Sequence, residues 1–294
     1  MELINCKVIS DKKRKEIREK IDKIKNKITI PPGLATILVG NDQASQTYIA
    51  SKIKACESVG IKSFHYNLAE NSSKKIIINL INKLNKNQEV DGILLQLPIP
   101  QSKDEQDCIN SIDPLKDVDG LHPLNVGALN LSKHWNEIIE KNTLVSCTPL
   151  GIMKVLFESN IEVEGKTIVI IGRSNLVGKP LSMLMLSKNA TVIITHSKTK
   201  NLEKICKSAD IIIAAIGKPN FINKEFIKNN SIIIDVGINK VSGKIYGDVN
   251  LESIKNMNVK ITPVPGGIGL MTITALLENT IKAFYNRRNK QQSN

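Results

Sequence analysis

The chain has 294 residues, 41% hydrophobic and 23% charged, enough to bury a large core and too many for a small stapled module. Its 41 Lys and Arg outnumber 28 Asp and Glu for a net charge of +13, the excess a nucleic-acid binder carries, yet only 3% of residues are aromatic, too few to stack single-stranded bases. The longest apolar runs, such as Ile211 to Ile216, fall far short of the roughly 18 residues that span a bilayer, so no membrane helix is expected.

Lysines lie interleaved with Asn and Ile along the chain, which reads as a general residue bias, with a basic nucleic-acid or surface-binding protein kept as the alternative. Met1 to Lys20 carries scattered charge and no apolar stretch before a small-residue cleavage site, so a cytoplasmic location is expected. The five cysteines are widely separated and lack Cys-x-x-Cys spacing, which suits buried free thiols. His65, His122, His134 and His196 show no ligand spacing, and no metal is expected.

In chain order, Ile17, Ile21, Ile24 and Ile28 recur at helical spacing and predict an amphipathic helix from Asp11 to Lys27. Pro31-Pro32-Gly33 stops it, and Leu34 to Val39 is a continuous apolar run suited to a strand buried on both faces. A helix from Ala44 to Val59 ends at Gly60; a strand at Ile61–Tyr66, a helix at Ser72–Lys86 and a strand at Gly92–Leu95 follow. Strands alternating with helices imply a parallel sheet. Asp113 to Asn142 reads as turns and connectors, after which the pattern restarts: helices at Thr148–Ser159 and Lys179–Lys188, strands at Lys166–Ile171, Thr191–Thr195, Ile211–Ala215 and Ser231–Val236. The chain therefore reads as two α/β units joined near Lys141 with a cleft between them. A terminal helix, Met271 to Arg288, could pack back on the first unit, and the polar tail Asn289 to Asn294 is expected to be disordered.

The strand Thr167–Ile171 runs into Gly172-Arg173-Ser174-Asn175-Leu176-Val177-Gly178 and then a helix, a glycine turn whose free N–H groups and helix dipole can hold a pyrophosphate. Ser174 stands where the usual G-x-G-x-x-G has its second glycine. About 20 residues on, where an NAD site places an acid for the ribose hydroxyl, the chain has Thr195-His196-Ser197-Lys198. A serine with Lys198 beside it, and Arg173 after the first glycine, suit a 2′-phosphate, so NADP is favoured over NAD. Gly217 and Gly237 also follow strands and would bring backbone close to a cofactor lying across the strand ends.

Tyr48 and Lys52 are one helical turn apart and share a face. A lysine desolvated near a phenol can act as an acid or base near neutral pH, but this spacing occurs on many helices and the pair alone assigns nothing. Gln96 at a strand end, Asp119 in Lys116-Asp117-Val118-Asp119-Gly120, and the loop Pro263-Val264-Pro265-Gly266-Gly267 are either turn formers or ligand contacts.

Five segments carry a family resemblance: Val39-Gly40-Asn41-Asp42-Gln43-Ala44-Ser45-Gln46-Thr47-Tyr48, Asp91-Gly92-Ile93-Leu94-Leu95-Gln96-Leu97-Pro98, Lys116 to Gly120, Gly172-Arg173-Ser174, and Thr262-Pro263-Val264-Pro265-Gly266-Gly267. In order, and over nearly the whole chain, the sequence resembles the bifunctional methylenetetrahydrofolate dehydrogenase/methenyltetrahydrofolate cyclohydrolase family of one-carbon metabolism. The resemblance implies an N-terminal α/β catalytic domain (1–141), a Rossmann-like parallel-sheet NADP-binding domain (142–270), helix 271–288 packed on the former, and a homodimer. It further implies that a hydride passes from 5,10-methylenetetrahydrofolate to NADP⁺ and that water opens the methenyl cation to 10-formyltetrahydrofolate.

Carried over by position, Lys52 matches the catalytic lysine, Tyr48 the tyrosine against the folate, Gln96 the glutamine that orients the lysine, and Asp119 the carboxylate that hydrogen-bonds the pterin. Leu97, Pro265, Gly266 and Gly267 match folate-lining positions; Gly172, Arg173, Ser174, Ser197 and Ile238 match cofactor contacts. Leu270 stands where the family usually has proline, and Cys6 where a glycine precedes the lysine. A short-chain dehydrogenase also uses Tyr-x-x-x-Lys, but its glycine turn precedes the pair, whereas here Gly172 follows it.

Overall fold

The computed structural model describes residues 1–25, 30–100 and 104–292. The chain opens with β1 (Glu2–Leu3) and α1 (Cys6–Lys25). The helix starts at Cys6 rather than Asp11 because Asn5 Oδ1 accepts from the Val8 N–H at 3.2 Å, a side-chain N-cap. The expected positions Lys27 and Ile28 lie outside the described residues.

Next come β2 (Gly33–Val39), α2 (Gln43–Val59), β3 (Lys62–Leu68), α3 (Lys74–Lys86) and β4 (Gly92–Leu95). Gly60 ends α2 in the left-handed region, φ 87°, where a side chain would be strained. Ile77, Ile81 and Leu84 form the buried stripe of α3. Three short helices follow, α4 (Glu105–Asn110), α5 (Pro123–Leu131) and α6 (Trp135–Glu140). The stretch expected as connectors thus holds α5 and α6. Both are short and their signals are only terminal: Pro123 in the first turn of α5, and Glu137 Oε1 accepting from the His134 N–H ahead of α6.

The remainder runs α7 (Cys147–Glu158), β5 (Thr167–Ile171), α8 (Gly178–Leu186), β6 (Thr191–Thr195), α9 (Leu202–Ser208), β7 (Ile211–Ala214), β8 (Ile232–Asp235), β9 (Asn239–Val241), β10 (Lys244–Tyr246), α10 (Leu251–Ile254), β11 (Lys260–Ile261) and α11 (Ile268–Gln292). Residues 289–292, expected as disordered tail, continue α11; 293–294 lie outside the described residues. No helix among the described residues is long and apolar enough to cross a membrane.

Every pairing within the two larger sheets is parallel. One sheet has the order β3-β2-β4, the other β1-β11-β8-β7-β5-β6, while β9 and β10 form an antiparallel hairpin. In the larger sheet successive strands β6 and β7 lie on opposite sides of β5, so the order reverses there, the point at which open α/β sheets bind ligands. Strands β5, β7 and β8 are almost wholly buried, as their unbroken aliphatic sequences predict.

The compact units are discontinuous in sequence. Met1–Asp11, Leu129–Lys141 and Thr148–Thr272 make one; Lys12–Ala128, Asn142–Cys147 and Ile273–Asn294 make the other. A single cut near Lys141 misses this because β1 pairs with β11, Glu2 opposite Lys260 and Leu3 opposite Ile261, closing the far edge of the six-stranded sheet.

The later part of α11 is tied to the three-stranded sheet by a buried ion pair. Arg287 Nη1 lies 2.5 Å from Asp91 Oδ1, their side chains 11% and 1% exposed, and the same guanidinium donates to Val90 O and Gln88 Oε1. Asp91 Oδ2 accepts from the Gly33 N–H at the start of β2. Arg287→Ala should cost about 3–5 kcal/mol in denaturant unfolding, because it leaves a carboxylate buried without its counter-charge. A loss below ~1 kcal/mol would mean that water reaches Asp91 freely.

Candidate active site

Lys52 projects from the middle of α2 and is only 5% exposed. Its Nζ donates to Gln96 Oε1 at 2.9 Å and stands 4.4 Å from the centre of the Tyr48 ring, one turn earlier on the helix. Gln96 sits immediately after β4 and is itself oriented by its Nε2, which donates to Leu97 O at 2.9 Å. The amide oxygen is thereby committed to the lysine. Leu97 packs its side chain, partly buried, against the core between α3 and the three-stranded sheet.

Burial pushes the Lys52 amine below the ordinary lysine pKa, against the pull of Asp119, Cys147 and Cys56, which favour its charged form. Burial drives Asp119 the other way, above the usual carboxylate range; Lys52 opposes that rise, while Asp117 adds to it. Desolvation thus disfavours the charged forms of both groups.

Asp119 is placed by its neighbours in the 116–120 segment. Lys116, almost fully buried, donates to Leu84 O and Asn87 O at the end of α3, and burial lowers its pKa to about 8. Asp117 accepts from the His122 N–H and from Asn125 Nδ2, both at 2.8 Å. Val118 O accepts from Cys147 Sγ and from Asn279 Nδ2 on α11, and Asn279 Nδ2 also reaches Val145 O. Gly120 turns the chain at φ 65°, where a Cβ would lie 2.5 Å from Ser146 N. Two of the three charged side chains in this segment are therefore structural, and they hold the third in place.

Two residues missed by sequence reasoning belong to this cluster. Cys147 lies against Asp119 and Lys52, and burial, with the neighbouring Asp119 charge, pushes its thiol far up, so it is a neutral neighbour of the lysine and the carboxylate. All five cysteines are buried and free, as their spacing predicted. Only the three-dimensional position of Cys147 distinguishes it from the other four. Asn279 carried no signal beyond being a polar residue on the apolar face of a helix.

The predicted cofactor residues gather at the carboxyl edge of the six-stranded sheet. Ile171 pairs with Thr195 and Ala214, and Ala214 with Asp235, so the segments beginning at Gly172, His196, Ala215 and Val236 leave side by side. Arg173, Ser174 and Ser197 are exposed there, and Ile238 is 60% exposed. Gly172 has φ 126°, and a Cβ on it would lie 2.3 Å from Ala215 O; one on Gly178 would lie 2.1 Å from Gly172 O. These glycines let the turn close tightly against β7 and the first turn of α8. The end of β6 offers Ser197 and Lys198 with no acid, next to Arg173, a donor set that fits a 2′-phosphate better than a ribose diol.

The loop of Pro265, Gly266 and Gly267 lies between β11 and α11, in the same compact unit as that sheet. Pro265 and Gly266 are exposed; Gly267 is buried, and a Cβ there would lie 2.1 Å from Pro263 O. Leu270 falls in the first turn of α11 and its N–H bonds Gly267 O at 3.1 Å, a bond a proline could not donate. No group of three or more His, Cys, Asp or Glu among the described residues could hold a metal ion.

Residues 4–119 match the family model described as tetrahydrofolate dehydrogenase/cyclohydrolase, catalytic domain, and residues 146–288 match its NAD(P)-binding domain. The chain is 50% identical to the bifunctional protein FolD of Campylobacter hominis, over 98% of both chains. It is similar to the crystal structure of the bifunctional FolD enzyme of Campylobacter jejuni, with TM-score 0.91 and 46% identity over 98% of this chain and 99% of that one. It is also similar to the Trypanosoma brucei FolD structure, complexed with NADP cofactor and inhibitor, with TM-score 0.90 and 32% identity over 97% of each.

Proposed function

The chain belongs to the tetrahydrofolate dehydrogenase/cyclohydrolase family, and from that premise we propose that Lys52, Tyr48, Gln96 and Asp119 carry its two reactions. The protein oxidises 5,10-methylenetetrahydrofolate with NADP⁺ to the methenyl cation and hydrolyses that cation to 10-formyltetrahydrofolate. Bound NADP⁺ supplies the hydride acceptor. The observation that carries the assignment of residues is the buried Lys52 amine, held 2.9 Å from Gln96 Oε1 and facing the Tyr48 ring and Asp119.

For the hydrolysis, Lys52 in its neutral form takes a proton from the water that adds to the methenyl carbon. As the bond from that carbon to N5 breaks, the remaining hydroxyl proton ends on N5, and Lys52 returns its own proton to solvent. Gln96 aims the lysine lone pair by accepting one of its N–H bonds. Tyr48 gives the flat substrate an aromatic face, and Asp119 accepts from the amide-like edge of the pterin. Leu97, Pro265, Gly266 and Gly267 line the folate. For the oxidation the same residues need only align the folate carbon with the nicotinamide, an alignment worth several orders of magnitude in rate.

Gly172, Arg173, Ser174, Ser197 and Ile238 are the proposed cofactor contacts, with Arg173 and Ser197 on the 2′-phosphate. The homodimer and the cytoplasmic location are supported by the family resemblance. Mixing the protein with 5,10-methylenetetrahydrofolate and NADP⁺ should raise methenyl and NADPH absorbance together, and no product at all would remove the reading.

The lowered Lys52 pKa fixes the sign of the pH response. Because the neutral amine is the working form, the cyclohydrolase rate should climb with pH through the folded-state pKa of Lys52, below the ordinary lysine value of 10.5, and level off above it. A rate that falls over that rise would assign the proton transfer to another group.

A further inference from the structure

A pair of buried carboxylates, Asp235 and Asp248, neither given a role above, organises the cofactor edge. Asp248, fully buried just after β10, accepts four hydrogen bonds: from the Ile216 and Gly217 N–H groups on Oδ2 at 2.8 and 3.0 Å, and from the Lys218 N–H and Asn239 Nδ2 on Oδ1 at 2.8 and 2.9 Å. Three successive backbone N–H groups make a nest for an anion, and this nest is filled by the protein's own carboxylate. The loop after β7 is thus fixed in shape rather than left open as a phosphate site.

Asp248 is itself held by Asp235 at the end of β8. Asp235 Oδ1 accepts from the Asp248 and Gly237 N–H groups at 2.9 and 3.1 Å, and Oδ2 from the Val249 N–H at 3.0 Å. The carboxylates also explain two glycines. A Cβ on Gly237 would lie 2.3 Å from Asp248 Oδ1, and one on Gly247 would lie 1.9 Å from Asp235 Oδ2. Gly237, expected to bring backbone close to the cofactor, also makes room for Asp248 by its missing side chain. Ile238 therefore stands between two residues that Asp248 clamps, Gly237 by packing and Asn239 by a hydrogen bond.

In a doubly wound sheet the strands on the two sides of the reversal serve the two halves of a dinucleotide. Here β5 and β6 carry Arg173 and Ser197 for the 2′-phosphate half, which leaves the ends of β7 and β8 for the nicotinamide half. Resting on the cofactor reading above, we propose that Asp248 is a positioning residue for the nicotinamide half of NADP, setting the loops 215–219 and 237–239 that receive it.

The test separates the two halves by calorimetry with NADP⁺ and with 2′,5′-ADP, which carries the 2′-phosphate but no nicotinamide. Asp248→Asn places an amide N–H₂ among donors and should weaken NADP⁺ by roughly tenfold or more while changing 2′,5′-ADP by less than about twofold. A general loosening of the unit would weaken both ligands equally, and that result, or unchanged NADP⁺ binding, overturns the proposal. Asn239→Ala removes one of the four bonds at a half-buried site and should show the same pattern at about threefold; if Asp248→Asn does not fold, NADP⁺ binding unchanged in Asn239→Ala overturns it. Arg173→Ala, binding neither ligand less tightly, would instead sink the cofactor reading and leave the Asp248 geometry as a purely structural feature.

Discussion

Lys52→Met should lower the cyclohydrolase rate by about 10²–10⁴-fold, the range set by losing a positioned proton acceptor. Methionine keeps an unbranched apolar stem of nearly the same length, with sulfur in place of Cδ, and lacks the amine, so the substitution tests chemistry more than packing. It also removes the charge whose desolvation lowers the lysine pKa, so unfolding stability should hold within about 1.5 kcal/mol. Hydride transfer, which depends on alignment and not on a proton acceptor, should fall less. The measurement follows decay of methenyl absorbance with purified methenyltetrahydrofolate, and normal turnover in the variant would refute the acid/base role. Gln96 enters the same result: with no amine to accept from, its Oε1 faces a thioether, and a further Gln96→Ala change should add little to the loss.

Arg173→Ala should raise the KM for NADP⁺ by roughly ten- to hundredfold and leave that for NAD⁺ nearly unchanged, since a charge-assisted bond to phosphate contributes about 1.5–3 kcal/mol. The expectation follows from position. Arg173 lies two residues beyond Ile171, and Ser197 two beyond its partner Thr195, so both project from adjacent strand ends with no carboxylate between them. The guanidinium is exposed, so removing it should not disturb the fold. Equal losses for both cofactors would show that Arg173 contacts a part common to them, such as the pyrophosphate, and that the 2′-phosphate is held elsewhere.

Local pattern made much of this legible. Aliphatic runs such as Thr167–Ile171 and Ile211–Ala214 become the buried parallel strands that their sequences predict, because a strand covered on both faces has no polar side to show. The stripe Ile77, Ile81 and Leu84 reads as one face of a helix, and Gly60 as its predecessor's stop, because period and positive φ are properties of a few neighbouring residues. Short elements escaped: α5, α6, α9 and the β9–β10 hairpin are each nine residues or fewer, too short for periodicity to stand above chance.

By itself, then, the sequence determined the alternation of strands and helices, the glycine turn after β5, the absence of an acid just after β6, and the Tyr48–Lys52 face. Only the tertiary structure decided that β1 joins β11, that Lys116 and Asp117 are structural while Asp119 meets Lys52 and Cys147, that Asn279 on α11 ties Val118 to Val145, and that Asp248 fills the nest after β7. The reason is the range of the forces. Periodicity and turn chemistry act within one helical turn or one strand, whereas burial and hydrogen bonding are settled by whichever distant group the fold brings into reach, and a buried polar group keeps its place only if such a partner arrives.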